Sequence, residues 1–161
     1  MNAEPRQIYL SVVDESPEGS LARRYAALHA KRGERAVALL ASIDTSLAAG
    51  DWVSIGQEME DEERARIEHL LKRAAAEVQA LTGEAPEQFI RPGTPRDALF
   101  ALLEEEPRIA ALVLAAGGGT AGPGPLVSSL SGKDLARLPV PLVIVPAVLE
   151  SCSDEDLARF S

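Results

Sequence analysis

The residues best suited to chemistry form a glycine-rich stretch in the C-terminal third of the chain. The apolar residues 109–115 (IAALVLA) lead directly into residues 116–125 (AGGGTAGPGP), and residues 126–130 (LVSSL) then have the composition of a helix start. A strand, a loop of small residues and a helix N-terminus often form an anion site, because backbone N–H groups and the helix dipole point at one place. Glycine content alone would instead favour a flexible surface loop without a ligand.

A carboxylate follows the first predicted strand. Residues 7–13 (QIYLSVV) are rich in β-branched and aromatic side chains and lead to Asp14. In an open parallel sheet, ligands bind beyond the carboxyl ends of the strands, where the winding reverses direction. If the strand before Asp14 and the strand before the glycine loop are neighbours at that reversal, Asp14 and Gly118 line one crevice. In isolation, Asp14 is equally typical of a turn residue beside a helix cap.

Composition narrows the classes of partner. The 161 residues include 16 basic and 25 acidic side chains, and the formal charge of −9 would repel a nucleic-acid backbone. The first residues lack the apolar core of a signal peptide, and no apolar run approaches the roughly 20 residues of a membrane helix. One cysteine, Cys152, excludes an intramolecular disulfide. We therefore expect a cytoplasmic protein without nucleic-acid or membrane partners.

Hydrophobic periodicity predicts alternating strands and helices. The predicted strands cover residues 7–13, 37–43, 88–91, 109–115 and 139–146. The predicted helices run from Pro17 to Gly33, from the acidic run 58–63 to about Leu81, from Pro95 to Pro107, and from the glycine loop to about Arg137. A looser segment, residues 44–55, contains Trp52. This alternation predicts an α/β fold with a parallel sheet, helices on both faces and right-handed crossovers.

Three capping patterns mark predicted helix starts. Ser16-Pro17-Glu18 combines a capping hydroxyl, a proline at the first helical position and an acid in the first turn. Thr94-Pro95-Arg96-Asp97 is a capping box with a proline in the same place. Near the C-terminus, Ser153 precedes three acidic residues and predicts a short helix that carries Leu157 and Phe160.

The predicted strand ends resemble those of the universal stress protein family, and the resemblance covers nearly the whole chain. Residues 12–16 (VVDES) look like the family's first strand and its Val-Asp-Gly-Ser turn, with Glu15 in place of glycine, and residues 39–44 (LLASID) look like its second strand. The resemblance implies a three-layer α/β/α fold that is Rossmann-like and similar to the adenine nucleotide alpha hydrolases. The sheet would have five parallel strands in the order 3-2-1-4-5. This domain would cover residues 1–147 and leave residues 148–161 as a tail.

One branch of that family binds ATP through the motif Gly-x2-Gly-x9-Gly-Ser/Thr after the fourth strand. Aligning glycines alone gives Gly119-x2-Gly122-x9-Gly132-Lys133, with lysine where a hydroxyl should be. Aligning the strands, with Leu114 ending the fourth, places the motif on Ala115-x2-Gly118-x9-Ser128-Ser129. We prefer the second register, because shifting a strand by several residues would misplace its buried side chains.

In this register the resemblance assigns ligand-binding roles. Asp14 would accept a hydrogen bond from the adenine or the ribose, and the backbone at Ser42 would meet the adenine edge. The phosphates would be held by small residues after the fourth strand and at the next helix start, namely Ala115, Gly117, Gly118, Gly119, Ser128 and Ser129. The expected ligand is ATP or AMP, with or without Mg²⁺. Without a ligand, Ser128 and Ser129 are simply polar residues in the first turn of a helix.

The sequence predicts no fast catalyst. It contains no Gly-x-Ser-x-Gly elbow, P-loop or intact dinucleotide-binding fingerprint. His29 and His69 fall on predicted helices without a second ligand at metal spacing, and His29 is expected to face the core. The acidic run 58–63 complements the dipole of a helix start, and Cys152 has no basic neighbour in sequence. We therefore expect no catalytic or metal-binding residues and at most slow ATP hydrolysis.

Three functions remain open. The first is an adenine-nucleotide-binding stress or regulatory protein that forms a homodimer through the last predicted strand, residues 142–145. The second is a nucleotide-free member of the same fold that acts through protein–protein contacts. The third is an adenylating enzyme of a related fold, which would need a substrate domain or catalytic basic residues. Asp14 and the loop glycines favour the first, whereas Ala115, Ser128 and the two loop prolines favour the second.

Overall fold

One parallel sheet of five strands organises the chain. The computed structural model describes residues 5–44 and 53–160, with the side chains of 53–56 excepted, so Trp52 lies outside the described residues. The strand order is β3-β2-β1-β4-β5, as the resemblance implied. The strands are β1 (Ile8–Val12), β2 (Ala36–Ile43), β3 (Glu87–Pro92), β4 (Ile109–Ala116) and β5 (Leu142–Pro146).

The central strand β1 lies where the winding of the chain reverses. Its residue Leu10 pairs with Ala38 of β2 on one side and with Leu112 of β4 on the other. The chain first builds outward from β1 to β2 and β3, and then returns to add β4 and β5 on the opposite side. The carboxyl ends of β1 and β4 are therefore neighbours at the place where open α/β sheets bind ligands.

Helices cover both faces of the sheet and make the three layers that were predicted. The helices are α1 (Gly19–Arg32), α2 (Val53–Thr82), α3 (Pro95–Glu105), α4 (Pro125–Ser131) and α5 (Asp154–Leu157). On one face, Leu10 and its neighbours pack with Leu99 of α3 and Leu130 of α4. On the other face, Leu39 packs with residues of α1 and α2, including Leu71. Apolar residues thus pack against both faces of the sheet, as expected when its strands are apolar on both faces.

Helix α1 begins later than its capping pattern predicted. The first helical residue is Gly19, and Glu18 precedes it without a side-chain capping hydrogen bond. The Ser16 hydroxyl and N–H instead donate to Asp14 Oδ1, and the hydroxyl accepts no capping hydrogen bond from α1. The prediction for α3 is confirmed: Pro95 is the first helical residue, and the Thr94 hydroxyl accepts a hydrogen bond from the Asp97 N–H at 3.1 Å.

Helix α4 is shorter than predicted. It ends at Ser131, and a separate 3₁₀ turn (Leu135–Arg137) follows, so one continuous helix to Arg137 was wrong. The break falls at Gly132, whose backbone (φ −106°, ψ −118°) is not helical. Strand β5 likewise begins only at Leu142, after two prolines that lack the N–H group a ladder requires.

The segment after β5 packs on α1. A 3₁₀ helix (Ala147–Ser151) leads to α5, and the Ser153 hydroxyl caps α5 by accepting from the Asp156 N–H, as predicted. Arg24 of α1 forms an ion pair of 2.7 Å with Asp154. Leu157 is fully buried against α1, whereas Phe160 remains 45% exposed.

None of the helices described in residues 5–44 and 53–160 combines the length and the hydropathy that a bilayer span requires.

Candidate functional site

A cavity of about 430 Å³ opens between the carboxyl ends of β1 and β4. Val12 of β1 and Leu114 and Ala115 of β4 form its apolar base. Polar groups reach it from several elements, namely Asp14, Ser16, Glu18, Thr94, Arg96 and Ser129. Its volume lies within the range of small-molecule sites, which are mostly apolar with a few convergent polar groups.

A second cavity of about 600 Å³ adjoins the first, beyond the ends of β1 and β2. It is lined by Ser42 at the end of β2 and by Gly93 before α3. Asp14, Thr94 and Pro95 line both cavities. Together the two cavities form one crevice along the carboxyl edge of the sheet, with Asp14 at their junction.

The turn after β1 fixes the carboxylate of Asp14. The N–H of Ser16 donates to Asp14 Oδ1 at 2.9 Å, and the Ser16 hydroxyl donates to the same oxygen. Short polar side chains often bond the backbone two residues ahead in this way. Within the described residues, Asp14 Oδ2 accepts no hydrogen bond, so an oriented and exposed acceptor remains at the centre of the crevice.

Gly19, the first residue of α1, has no side chain, and the charged groups of Arg23 and Asp14 lie near the space that a side chain would take. A Cβ at Gly19 would lie 3.0 Å from Arg23 Nη1 and 3.6 Å from Asp14 Oδ1. Arg23 is buried and forms an ion pair of 2.9 Å with Glu77 through Nε. Its Nη1 atom has no hydrogen-bond partner among the described residues. Arg23 thus places a positive charge near Asp14 without lining the cavity.

The glycine loop folds back on itself. The Gly117 N–H donates to the Pro123 carbonyl at 3.1 Å, and the Gly122 N–H donates to the Gly119 carbonyl at 3.2 Å. Gly122 and Gly124 have φ values of +86° and +104°, a left-handed region that favours glycine. The loop therefore turns residues 123–125, and not its three consecutive glycines, toward the cavity.

The structure brings some of the predicted phosphate-binding residues together and separates others. Ala115 and Ser129 line the first cavity with Asp14. Gly117, Gly118, Gly119 and Ser128 are not among its lining residues. A Cβ at Gly118 would lie 2.9 Å from Ala147 Cβ, so this glycine faces the segment after β5. Ser128 is exposed, and its N–H donates within the helix to Gly124.

Ser129 belongs to a partly buried ionic cluster. Its hydroxyl donates to the carboxylate of Asp134, which also accepts two hydrogen bonds from Arg96 at 2.7 and 2.8 Å. The Arg96 hydrogen bonds, together with that of Ser129, hold the pKa of Asp134 well below its usual value, and the same carboxylate raises the pKa of Arg96. Arg96 at the cavity is therefore ion-paired with Asp134, a carboxylate that Arg137 also approaches to 4.0 Å.

Sequence analysis missed Glu18 and Arg96 as residues of the site. Glu18 was interpreted as an acid in the first turn of α1, but it lies just before that helix and lines the cavity. Arg96 was part of a capping pattern and gave no further signal. Its partner Asp134 is 38 positions away and follows the unforeseen break after α4.

The described residues hold no group of histidine, cysteine, aspartate and glutamate arranged for a metal ion. His29 is a structural residue, as predicted: it stacks on Tyr25 at a centroid distance of 4.0 Å and contacts the Leu157 carbonyl at 3.2 Å. Desolvation lowers its pKa, which the hydrogen bond to Leu157 only partly opposes. His69 is exposed on α2, as predicted.

The strand order and the position of the crevice define a doubly wound α/β protein with a crevice at its topological switch point. The family follows from a further comparison. The model of the universal stress protein family matches residues 6–146, and the chain belongs to that family.

Solved structures share this fold at low sequence identity. Universal stress protein UspA from Lactobacillus plantarum is 20% identical, with a TM-score of 0.71 over 88% of this chain and 99% of its own. A universal stress protein in complex with cAMP is 18% identical, with a TM-score of 0.61 over 86% of this chain and 96% of its own. The protein from Archaeoglobus fulgidus in complex with dAMP is 15% identical, with a TM-score of 0.57 over 88% and 98%. Comparison with curated proteins gave no match.

Proposed function

We propose that this universal stress protein is a regulatory protein that binds an adenine nucleotide in the crevice, with little or no catalytic turnover. The observation that carries the proposal is the position of Asp14. Its oriented carboxylate lies at the junction of two cavities, at the switch point of the sheet. The cavity combines an exposed hydrogen-bond acceptor with an apolar floor. This combination suits a planar, mostly apolar nucleobase whose N–H groups, or whose ribose O–H groups, can donate to the acceptor.

Solved structures with the same fold also support the proposal that the ligand is an adenine nucleotide. Two of them are complexes with adenine nucleotides, one with cAMP and one with dAMP. Their sequence identities of 18% and 15% establish a common fold, so the carry-over of the ligand to this chain is part of the proposal.

The proposed binding mode divides the ligand between the two cavities. Asp14 accepts from the adenine or the ribose, and the backbone at Ser42 meets the adenine edge in the second cavity. Ala115 and Ser129 border the remainder of the ligand in the first cavity. Contacts from Ser128 and from residues 117–119 require the glycine loop to open away from its present internal hydrogen bonds.

Binding can be tested on the purified protein. Denaturation should release adenine nucleotide into the supernatant, or calorimetric titration with AMP should show saturable binding. Replacing Asp14 with alanine should weaken binding by about 1–3 kcal/mol, the order of a hydrogen bond to a charged group. Asp61→Ala, which removes an exposed carboxylate from α2, is the matched control and should bind like the wild type. Unchanged affinity in Asp14→Ala would reject the proposed role of Asp14.

We also propose a homodimer formed along β5, the edge strand next to β4. Its residues Leu142, Val143 and Ile144 are only partly buried within this chain, and an uncovered apolar edge favours association. A symmetric partner would cover the same edge on both copies. Analytical ultracentrifugation at micromolar concentration should therefore show a dimer, and a sharp monomer boundary would contradict this arrangement.

A nucleotide-free interaction module is the second candidate, and the glycine loop is the observation that favours it. The N–H groups of Gly117 and Gly122 donate to carbonyl groups within the loop, and the two prolines of the loop have no N–H group. If neither extraction nor titration with adenosine, AMP or ATP gives a signal, the adenine-binding proposal fails and this candidate takes its place.

A further inference from the structure

We propose that the crevice selects against polyphosphates and takes an adenine ligand with at most one phosphate, and that Glu18 sets this preference. The inference rests on the proposed function and narrows its ligand class. It follows from the charges and from the hydrogen-bond donors that line the first cavity.

The carboxylate of Glu18 lies against the glycine loop. Glu18 Oε1 is 3.2 Å from the position that a Cβ would take at Gly117 and 3.9 Å from the corresponding position at Gly124. Glu18 also lines the cavity, and no hydrogen bond or ion pair to its side chain is made by the described residues. An uncompensated negative charge thus stands on the side of the loop that a phosphate chain would approach from the cavity.

The loop offers few backbone N–H groups that could bind phosphate oxygens and so offset the repulsion from Glu18. Gly117 and Gly122 donate their N–H groups to carbonyls within the loop. Pro123 and Pro125, which both line the cavity, have no N–H group. Helix α4 is too short to compensate, because it has seven residues and its first one is Pro125. Of the loop and α4 residues that line the cavity, this leaves the N–H groups of Gly124, Leu126 and Val127, which are too few for a chain of several phosphates.

The remaining charges at the cavity also disfavour a polyphosphate. Asp14 and Glu18 both line it. Arg96, the cation among the described lining residues, is held by both carboxylate oxygens of Asp134 at 2.7 and 2.8 Å. Arg23 lies behind Gly19 and is ion-paired with Glu77. Asp14 and Glu18 have no ion-pair partner among the described residues, so each added phosphate should increase the repulsion from these two carboxylates.

Calorimetric titrations with adenosine, AMP and ATP, all in the presence of a chelator, test the proposal. We expect wild-type protein to bind AMP at least about tenfold more tightly than ATP, since like charges facing each other across a partly buried cleft interact on this scale. Glu18→Gln, which keeps the shape and removes the charge, should tighten ATP binding several-fold and leave adenosine binding unchanged. Glu104→Gln, on the exposed side of α3, changes the net charge equally and should leave all three affinities unchanged.

A second measurement needs no variant. Raising the salt concentration screens repulsion between charges, so ATP binding by the wild-type protein should strengthen relative to adenosine binding.

The possible outcomes are distinct. ATP binding as tight as AMP binding in the wild type would overturn the proposed preference while leaving the adenine-binding function intact. A preference for AMP that persists unchanged in a folded Glu18→Gln protein would overturn the role of Glu18. Absence of binding by all three compounds would instead refute the proposed function, and this inference with it.

Discussion

Two aspartates near the crevice differ in what surrounds them. Asp14 is exposed and bonded at one oxygen by Ser16, so its other oxygen can meet a ligand. Asp134 is only 3% exposed, and its oxygens are occupied by Arg96 and Ser129. A saturated carboxylate of this kind stabilises the fold and orients its neighbours, whereas the exposed one is free to take part in binding.

The lowered pKa of Asp134 predicts a pH-dependent stability. A carboxyl group whose pKa falls on folding stabilises the protein above its unfolded-state pKa of about 3.9, and that contribution is lost as the pH falls further. Asp134→Asn should therefore lower the melting temperature at neutral pH, and the difference from wild type should shrink below about pH 4. Thermal denaturation followed by circular dichroism across this range provides the measurement.

The neighbouring Asp97 supplies the control for that experiment. It also contacts Arg96, at 3.3 Å, but its side chain is 64% exposed. Asp97→Asn should change the melting temperature little, because exposed ion pairs contribute little to stability. A difference between Asp134→Asn and wild type that stays constant from neutral to acidic pH would contradict the assigned ionic role.

A residue could be predicted when its position depends on its neighbours in sequence, and not when it depends on a contact with a distant part of the chain. The position of Asp14 at the crevice could be predicted, because it is the first charged residue after a strand. The ion pair of Arg96 and Asp134 could not, because it joins residues 38 positions apart through a turn that sequence periodicity did not reveal. Glu18 was predicted to lie in the first turn of α1, whereas it lies just before that helix.

At the scale of elements, the conformation of the glycine loop decides what the cavity offers. A Cβ at Gly117 would lie 2.9 Å from the Gly122 carbonyl oxygen, a backbone atom, whereas a Cβ at Gly119 has nothing within 4 Å. Gly117→Ala should therefore destabilise the protein by about 1–3 kcal/mol, the usual cost of overpacking, and Gly119→Ala should change stability by less than about 0.5 kcal/mol. Chemical denaturation of both variants gives the comparison, and equal stabilities would show that the loop does not hold this closed arrangement.

The elements themselves were largely predictable, and their ends were not. The five strands were found because their apolar runs are bounded by turn residues, and α3 was found from its capping box. The start of α1 was misplaced because Ser16 bonds Asp14 instead of the helix. The end of α4 was misplaced because the predicted helix continued across Gly132, where the backbone is not helical. Both errors concern a competition between local hydrogen bonds that hydrophobic periodicity does not register.

At the scale of the molecule, the C-terminal segment packs on α1 and is bonded to it. Leu157 is fully buried there, Arg24 pairs with Asp154, and the Tyr25 hydroxyl donates to the Phe160 carbonyl at 2.9 Å. The match to the universal stress protein family ends at residue 146, so this segment lies beyond the matched region, whereas α1 lies within it. The segment adds apolar burial to the helix whose first residues border the crevice.

Truncating the buried anchor should show how much this segment stabilises the fold. Leu157→Ala should lower the free energy of unfolding by about 2–5 kcal/mol, as for other fully buried leucines. Val148→Ala, in the same segment but 76% exposed, should have little effect. Urea denaturation of the two variants is the measurement, and Val148→Ala controls for the effect of shortening any side chain in this segment. A denaturation midpoint for Leu157→Ala equal to that of the wild type would show that Leu157 does not anchor the segment.

The central claim is that an adenine ligand binds where the ends of β1, β2 and β4 meet. Heteronuclear NMR of the protein titrated with AMP tests both the binding and the place. We expect saturable shifts concentrated at Asp14, Ser42, Ala115 and Ser129, and in Asp14→Ala these shifts should require a higher AMP concentration to saturate. Spectra that do not change, or shifts confined to the opposite end of the sheet around Arg6 and Glu84, would contradict it.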